Sequence, residues 1–145
     1  MDGVDPVYTT LASNVKIQNG GTERFKDATL YRGVVGALKY LHLTRPDISV
    51  EVNKVFQYTH DPYVEHWELV KIILRCLKST VDYGFHLNAS HDFSLHSYSD
   101  EYWASSLDDW RSTTRYCIYF DGNLISWRTR KQKTLSKSST EAEYK

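Results

Sequence analysis

The sequence predicts an α+β protein: helices first, then a small antiparallel sheet, then the start of another helix. Three observations carry this. Residues 29–79 place apolar side chains at helical spacing between proline-marked turns. From about Tyr83 the apolar period switches to two. The pair Asp121-Gly122, followed by Asn123, then joins two β-rich runs.

Residues 1–27 hold Gly, Asn, Thr and Asp without a clear period and read as an irregular lead-in. In TLYRGVVGALKYLHL, Leu30, Val34, Leu38 and Leu41 form one stripe, widened by Val35 and Ala37. Gly33 and Gly36 cost a helix roughly 1 kcal/mol each against alanine, so they are expected where another backbone packs closely. A second helix follows Pro46, with Thr44 as cap, Asp47 at its positive end and Ile48, Val52, Val55 and Phe56 inside. A third follows Asp61 as cap and Pro62, with Trp67, Val70, Ile73, Leu74 and Leu77 inside.

In YGFHLN, Tyr83, Phe85 and Leu87 alternate; in FSLHSYSD, Phe93, Leu95 and Ser97 oppose Ser94, His96 and Tyr98. RYCIYFDGNLISWRTRKQ reads as a hairpin. SSTEAEYK begins a helix with Ser138, Ser139 or Thr140 as cap. Strands and helix share about fifty residues, little for an independently stable domain.

With 145 residues, 41% hydrophobic and 14% aromatic, the chain can build a core, so disorder is not expected. Formal charge is zero and evenly spread, so any nucleic-acid footprint must be local. Cys76 and Cys117 stand far apart with no metal-ligand spacing and read as buried thiols in a reducing compartment. No apolar run suits a membrane span and the N-terminus does not resemble a signal peptide, so the expected location is intracellular.

Asp100 lies in YSDEYWAS at a strand end, a place where an isolated Asp also serves as a turn residue. Glu143 follows one turn after Ser139. If the last helix crosses the sheet, the two carboxylates approach, and a cation such as Mg²⁺ is the usual way to make that tolerable. Arg128, Arg130, Lys131, Lys133 and Lys137 form a local basic cluster behind Trp127. They suit phosphate contacts, or equally a solvated hairpin edge protected from pairing. His60, His66, His86, His91 and His96 lack ligand spacing and read as surface or rim residues. The aromatics read as packing residues, with Tyr98 and Trp103 beside Asp100 worth following.

LYRGVVGALKYLHLTRPDISVEVNKVFQY, HWELVKIILRCLKSTVDYGFHL, YSDEYWAS and DDWRSTTRYCIYFDGNLISWRTRKQKTLSKSSTEAEY together resemble the Pol polyprotein of copia-type LTR retrotransposons, from about Asp27 onward. The resemblance implies that residues 28–90 are the helical end of the reverse-transcriptase region and its connection. It implies that residues 91–145 begin a ribonuclease H-like domain, truncated here, with three strands and the start of its first helix. Asp100 and Glu143 match the family's first two metal-binding carboxylates, which in the family hold Mg²⁺ and cleave the RNA strand of RNA·DNA hybrids. Glu141 is then a solvated first-turn acid. The later carboxylate and the polymerase's paired aspartates have no counterpart, so the segment is expected to bind Mg²⁺ weakly or not at all and to cleave nothing. The implied partners are the hybrid and the rest of the polyprotein, with no small-molecule substrate and no membrane. An alternative is a non-enzymatic remnant that binds nucleic acid or protein. Glu101-Tyr102, Ser105 and Arg115 depart from the family pattern. Arg115 stands where glycine is usual, and a positive φ there would strain the turn.

Overall fold

A computed structural model describes residues 20–89, 91, 93–106 and 108–144, so residues 1–19 of the expected lead-in lie outside it. The expected α+β order is found: helices, then a three-stranded antiparallel sheet, then a short helix. The chain forms two compact units, divided between Gly84 and Phe85.

The first unit holds α1 (Ala28–Leu41), a 3₁₀ turn (Pro46–Ile48), α2 (Ser49–Phe56) and α3 (Val64–Ser79). Asp27 caps α1 by accepting the Leu30 N–H at 2.8 Å. The core is Tyr31, Val35, Leu38, Ile48, Val52, Val55, Leu69, Val70 and Ile73. Several expected inner residues are displaced. Leu30 is 46% exposed and Phe56 43%, and Leu41 is also exposed. The inner stripe of α1 is Tyr31, Val35 and Leu38, because the Tyr31 hydroxyl reaches the Val55 carbonyl at 2.9 Å and lets the ring go in. Its burial pushes the phenol pKa up from the ordinary tyrosine value. Trp67, Leu74 and Leu77 are only partly buried.

Gly33 and Gly36 are exposed, and a Cβ added to either meets open space, so close packing does not explain them. Thr44 does not cap the second helix: its hydroxyl donates back to the Leu41 carbonyl at the end of α1, at 3.1 Å. Asp61 pairs with Arg24 at 3.2 Å, and the N-cap of α3 is Tyr63. The Tyr63 N–H donates to His66 Nδ1 at 3.1 Å. His66 is therefore no surface residue: it is 1% exposed and stacks on Tyr58 at 4.0 Å.

Residues 21–25 dock on the start of α3. Phe25 N–H donates to Pro62 O at 2.9 Å, Val64 N–H to Glu23 O at 3.0 Å, and Phe25 stacks on Trp67 at 4.8 Å. Thr22 donates its hydroxyl and N–H to Glu65 at 2.6 and 2.7 Å, which holds that carboxyl down at about 2. Glu65 and Tyr63 crowd the position a Gly21 Cβ would take, so only glycine lets the backbone come this close.

Arg45 closes the other end of α3. It grips Asp47 at 2.9 and 2.7 Å and reaches the Thr80 carbonyl at 2.9 Å and hydroxyl at 2.6 Å. A buried guanidinium thereby satisfies a carbonyl just past the helix C-terminus.

The second unit holds β1 (Leu95–Tyr102), β2 (Thr113–Phe120), β3 (Asn123–Lys131) and α4 (Ser139–Glu143), with the strands in the order β1-β2-β3. Asp121 and Gly122 both have positive φ, 53° and 74°, as a tight two-residue hairpin turn requires. A bulge at Ile118/Tyr119 leaves Ile125 unpaired and exposed. YGFHLN is not a strand. Asn88 instead exchanges hydrogen bonds with the Asn123 side chain, at 2.7 and 2.9 Å, so a turn side chain takes the place of a strand partner. Ser138 caps α4. Glu141 is half-buried and accepts the Lys137 N–H at 2.8 Å, which makes it a capping acid rather than a solvated one.

Candidate functional site

Strand alternation sorts the predicted residues onto two faces. Asp100 in β1 stands directly opposite Arg115 in β2, and both share a face with Tyr98, Tyr102 and Cys117. The Arg115 guanidinium lies 5.7 Å from the Tyr102 ring centre. Arg115 belongs to a regular strand and has no positive φ, so the expected strain is absent; the left-handed residues between β1 and β2 are Ala104, with φ 48°, and Trp110, with φ 55°. Asp100 is exposed and stands two residues before the strand end.

Glu101 stands opposite Thr114 on the other face. There Gln132, only 8% exposed, gathers three acceptors with its side-chain amide. Nε2 donates to Glu101 Oε2 at 3.0 Å, Thr114 Oγ1 at 3.2 Å and the Ala142 carbonyl at 2.9 Å. Ala142 is fully buried, and α4 packs against β1. Glu143 is exposed at the end of that helix. The carboxylate on the face of the Gln132 contacts is thus Glu101, while Asp100 lies on the opposite face, in register with Arg115.

Among the described residues, no three His, Cys, Asp or Glu side chains converge as metal ligands would. With Arg115 opposite Asp100, the residues present do not assemble the donor set a Mg²⁺ ion needs.

The basic cluster divides. Arg128 and Arg130 are exposed and two apart on one face of β3; Lys133 and Lys137 are exposed beyond it. Lys131 is engaged: its amine meets Asp109 at 2.9 Å and Ser106 Oγ at 2.9 Å, which pins the loop between β1 and β2. Lys131 holds Asp109 below the ordinary carboxylate range despite partial burial, which pushes the other way. Cys76 is buried, whereas Cys117 is half-buried; both are free. Among the described residues no helix is long and apolar enough to cross a membrane.

Over 140 residues the chain is 45% identical to the Retrovirus-related Pol polyprotein from transposon RE2 of Arabidopsis thaliana, covering 97% of this chain and 10% of that protein. The chain belongs to the copia-type retrotransposon Pol family. The Pol polyprotein from transposon TNT 1-94 of Nicotiana tabacum is 37% identical over 99% of this chain and 11% of its own length. This Pol segment therefore spans about a tenth of the Pol relatives it matches. A much shorter relative, the Secreted RxLR effector protein 161 of Plasmopara viticola, is 41% identical over 79% of this chain and 81% of its own length. No family model matches the chain, and no solved structure does.

The resemblance read from the motifs is borne out. Sequence reasoning missed Gln132, Glu101 and Asp109. The only signal for Gln132 was its position one residue past a strand, where a polar side chain can turn back over the sheet.

Proposed function

We propose that this Pol segment joins the end of a reverse-transcriptase region, residues 28–90, to the first part of a ribonuclease H domain, residues 91–145. The match to Pol polyproteins over nearly the whole chain carries this reading. The change from helices to an antiparallel sheet followed by a helix supports it. In the longer protein this region serves RNA-directed DNA synthesis and cleavage of RNA in RNA·DNA hybrids, inside the cell. Asp100 and Glu143 supply two of the acids of the cleavage site, and further chain supplies the rest. Alone, the segment holds Mg²⁺ weakly or not at all and does not cleave. Arg128, Arg130, Lys133 and Lys137 offer phosphate contacts, while Lys131 steadies the loop that borders them.

Hybrid binding tests this reading. Affinity for an RNA·DNA hybrid should fall with rising salt, and the joint change of Arg128 and Arg130 to alanine should weaken it and flatten the salt slope by about two charges. No binding at low salt, or binding that ignores these substitutions, contradicts it.

A second reading is that of a self-standing interaction module. One observation favours it: a relative about as short as this chain shares most of its length with it. Under this reading the double substitution leaves the binding partner unaffected.

A further inference from the structure

Two backbone segments meet in the second unit with one side chain between them. Gln132 lies one residue past β3, and its N–H donates to the Ser112 carbonyl at 2.8 Å, which prolongs the β2–β3 ladder by a step. Its side chain is buried and uses both ends. Nε2 contacts Glu101, Thr114 and the Ala142 carbonyl, while Oε1 accepts the Ser136 hydroxyl at 3.2 Å. The Ser136 carbonyl in turn accepts Trp103 Nε1–H at 3.0 Å. Ser136 is buried as well.

We propose that Gln132 is a positioning residue that holds α4, and with it Glu143, against the strand that carries Asp100. The proposal deepens the ribonuclease H reading and rests on it for the roles of those two acids. Glu101 follows Asp100 in the chain and Ala142 precedes Glu143, so one amide joins the immediate chain neighbours of both. Helix α4 has only five residues, too short to persist by its own hydrogen bonds. Its placement comes from the burial of Ala142 and from this amide. Glutamine suits the position because the acceptors around Nε2 include a carboxylate and a backbone carbonyl, both of which need a donor. A carboxylate in its place would face two acceptors.

The test is amide exchange at α4 in the full chain, read as protection of the Ala142 N–H, which donates to Ser138 O. Gln132→Glu should lower that protection tenfold or more near neutral pH and leave β2 and β3 unchanged. Protection should return as pH falls and the introduced carboxyl gains a proton to donate. It should also return in part when Glu101→Gln is added, which restores one donor. Gln132→Met should lose protection at every pH, and it serves if Gln132→Glu does not fold. Unprotected Ala142 in the unaltered chain, or a loss insensitive to both pH and Glu101→Gln, would overturn the proposal. Hybrid binding is measured separately, so its failure rejects the ribonuclease H reading while leaving the exchange result intact.

Discussion

Asp100 and Arg115 stand opposite one another across β1 and β2, on the face away from the Gln132 contacts. An acid expected to face a metal ion stands in register with an arginine, whose guanidinium lies 5.7 Å from the Tyr102 ring centre. A positive charge on this face of the sheet disfavours a divalent ion beside Asp100.

Removing Arg115 should therefore raise Mg²⁺ affinity. Arg115→Ala is expected to tighten binding a few-fold at low salt, with the gain lost at high salt and in Asp100→Asn. Titration calorimetry checks this. Equal affinity in the two chains would show that Arg115 does not compete for Asp100.

Gly33 and Gly36 are exposed in α1 with open space at each Cβ. Gly33→Ala and Gly36→Ala should each stabilise the first unit by about 0.5–1 kcal/mol, because alanine gives up less freedom on folding. Denaturant unfolding measures it. A loss of stability would mean that something packs there in solution.

Arg45 lowers the Asp47 pKa, chiefly through its hydrogen bonds, against a smaller opposing effect of burial. A depressed carboxylate stabilises the fold above its unfolded pKa and loses that contribution as pH falls through the folded one. Arg45→Ala should cost about 2–3 kcal/mol at neutral pH, since it also strands the Thr80 carbonyl. The deficit should shrink as pH falls below the ordinary aspartate value. A deficit constant with pH would remove Asp47 from the account.

The apolar core cluster belongs to the first unit; in the second, Ala142 is the one buried apolar residue among those described. Amides in α1, α2 and α3 should thus be protected well beyond those in β1, β2 and β3. Hydrogen exchange by mass spectrometry reads this directly, and equal protection in both units would contradict it.

Much of this was legible in the sequence. Helical spacing located all three longer helices, and Asp121-Gly122 located the hairpin. Faces were harder, because spacing cannot tell which side of an apolar helix turns inward. Tyr31 went in on the strength of one hydroxyl bond, while Leu30 stayed out. His66 and Arg45 are polar types usually found outside, and they are buried by partners distant in the chain, or by a helix cap. Tyr83, Phe85 and Leu87 alternate like a strand, yet alternation alone supplies no partner strand. For the candidate site, motifs named Asp100 and Glu143, but the face of Asp100 depends on strand register and the seat of α4 on Gln132, which no motif announces.

The most direct measurement is cleavage of the RNA strand of an RNA·DNA hybrid by the chain alone, with Mg²⁺ and protein in excess. The account predicts no cleavage above that of Asp100→Asn, because two acids on this arrangement do not complete a metal site. Mg²⁺-dependent cleavage that disappears in Asp100→Asn would contradict it and show that this Pol segment is an enzyme by itself.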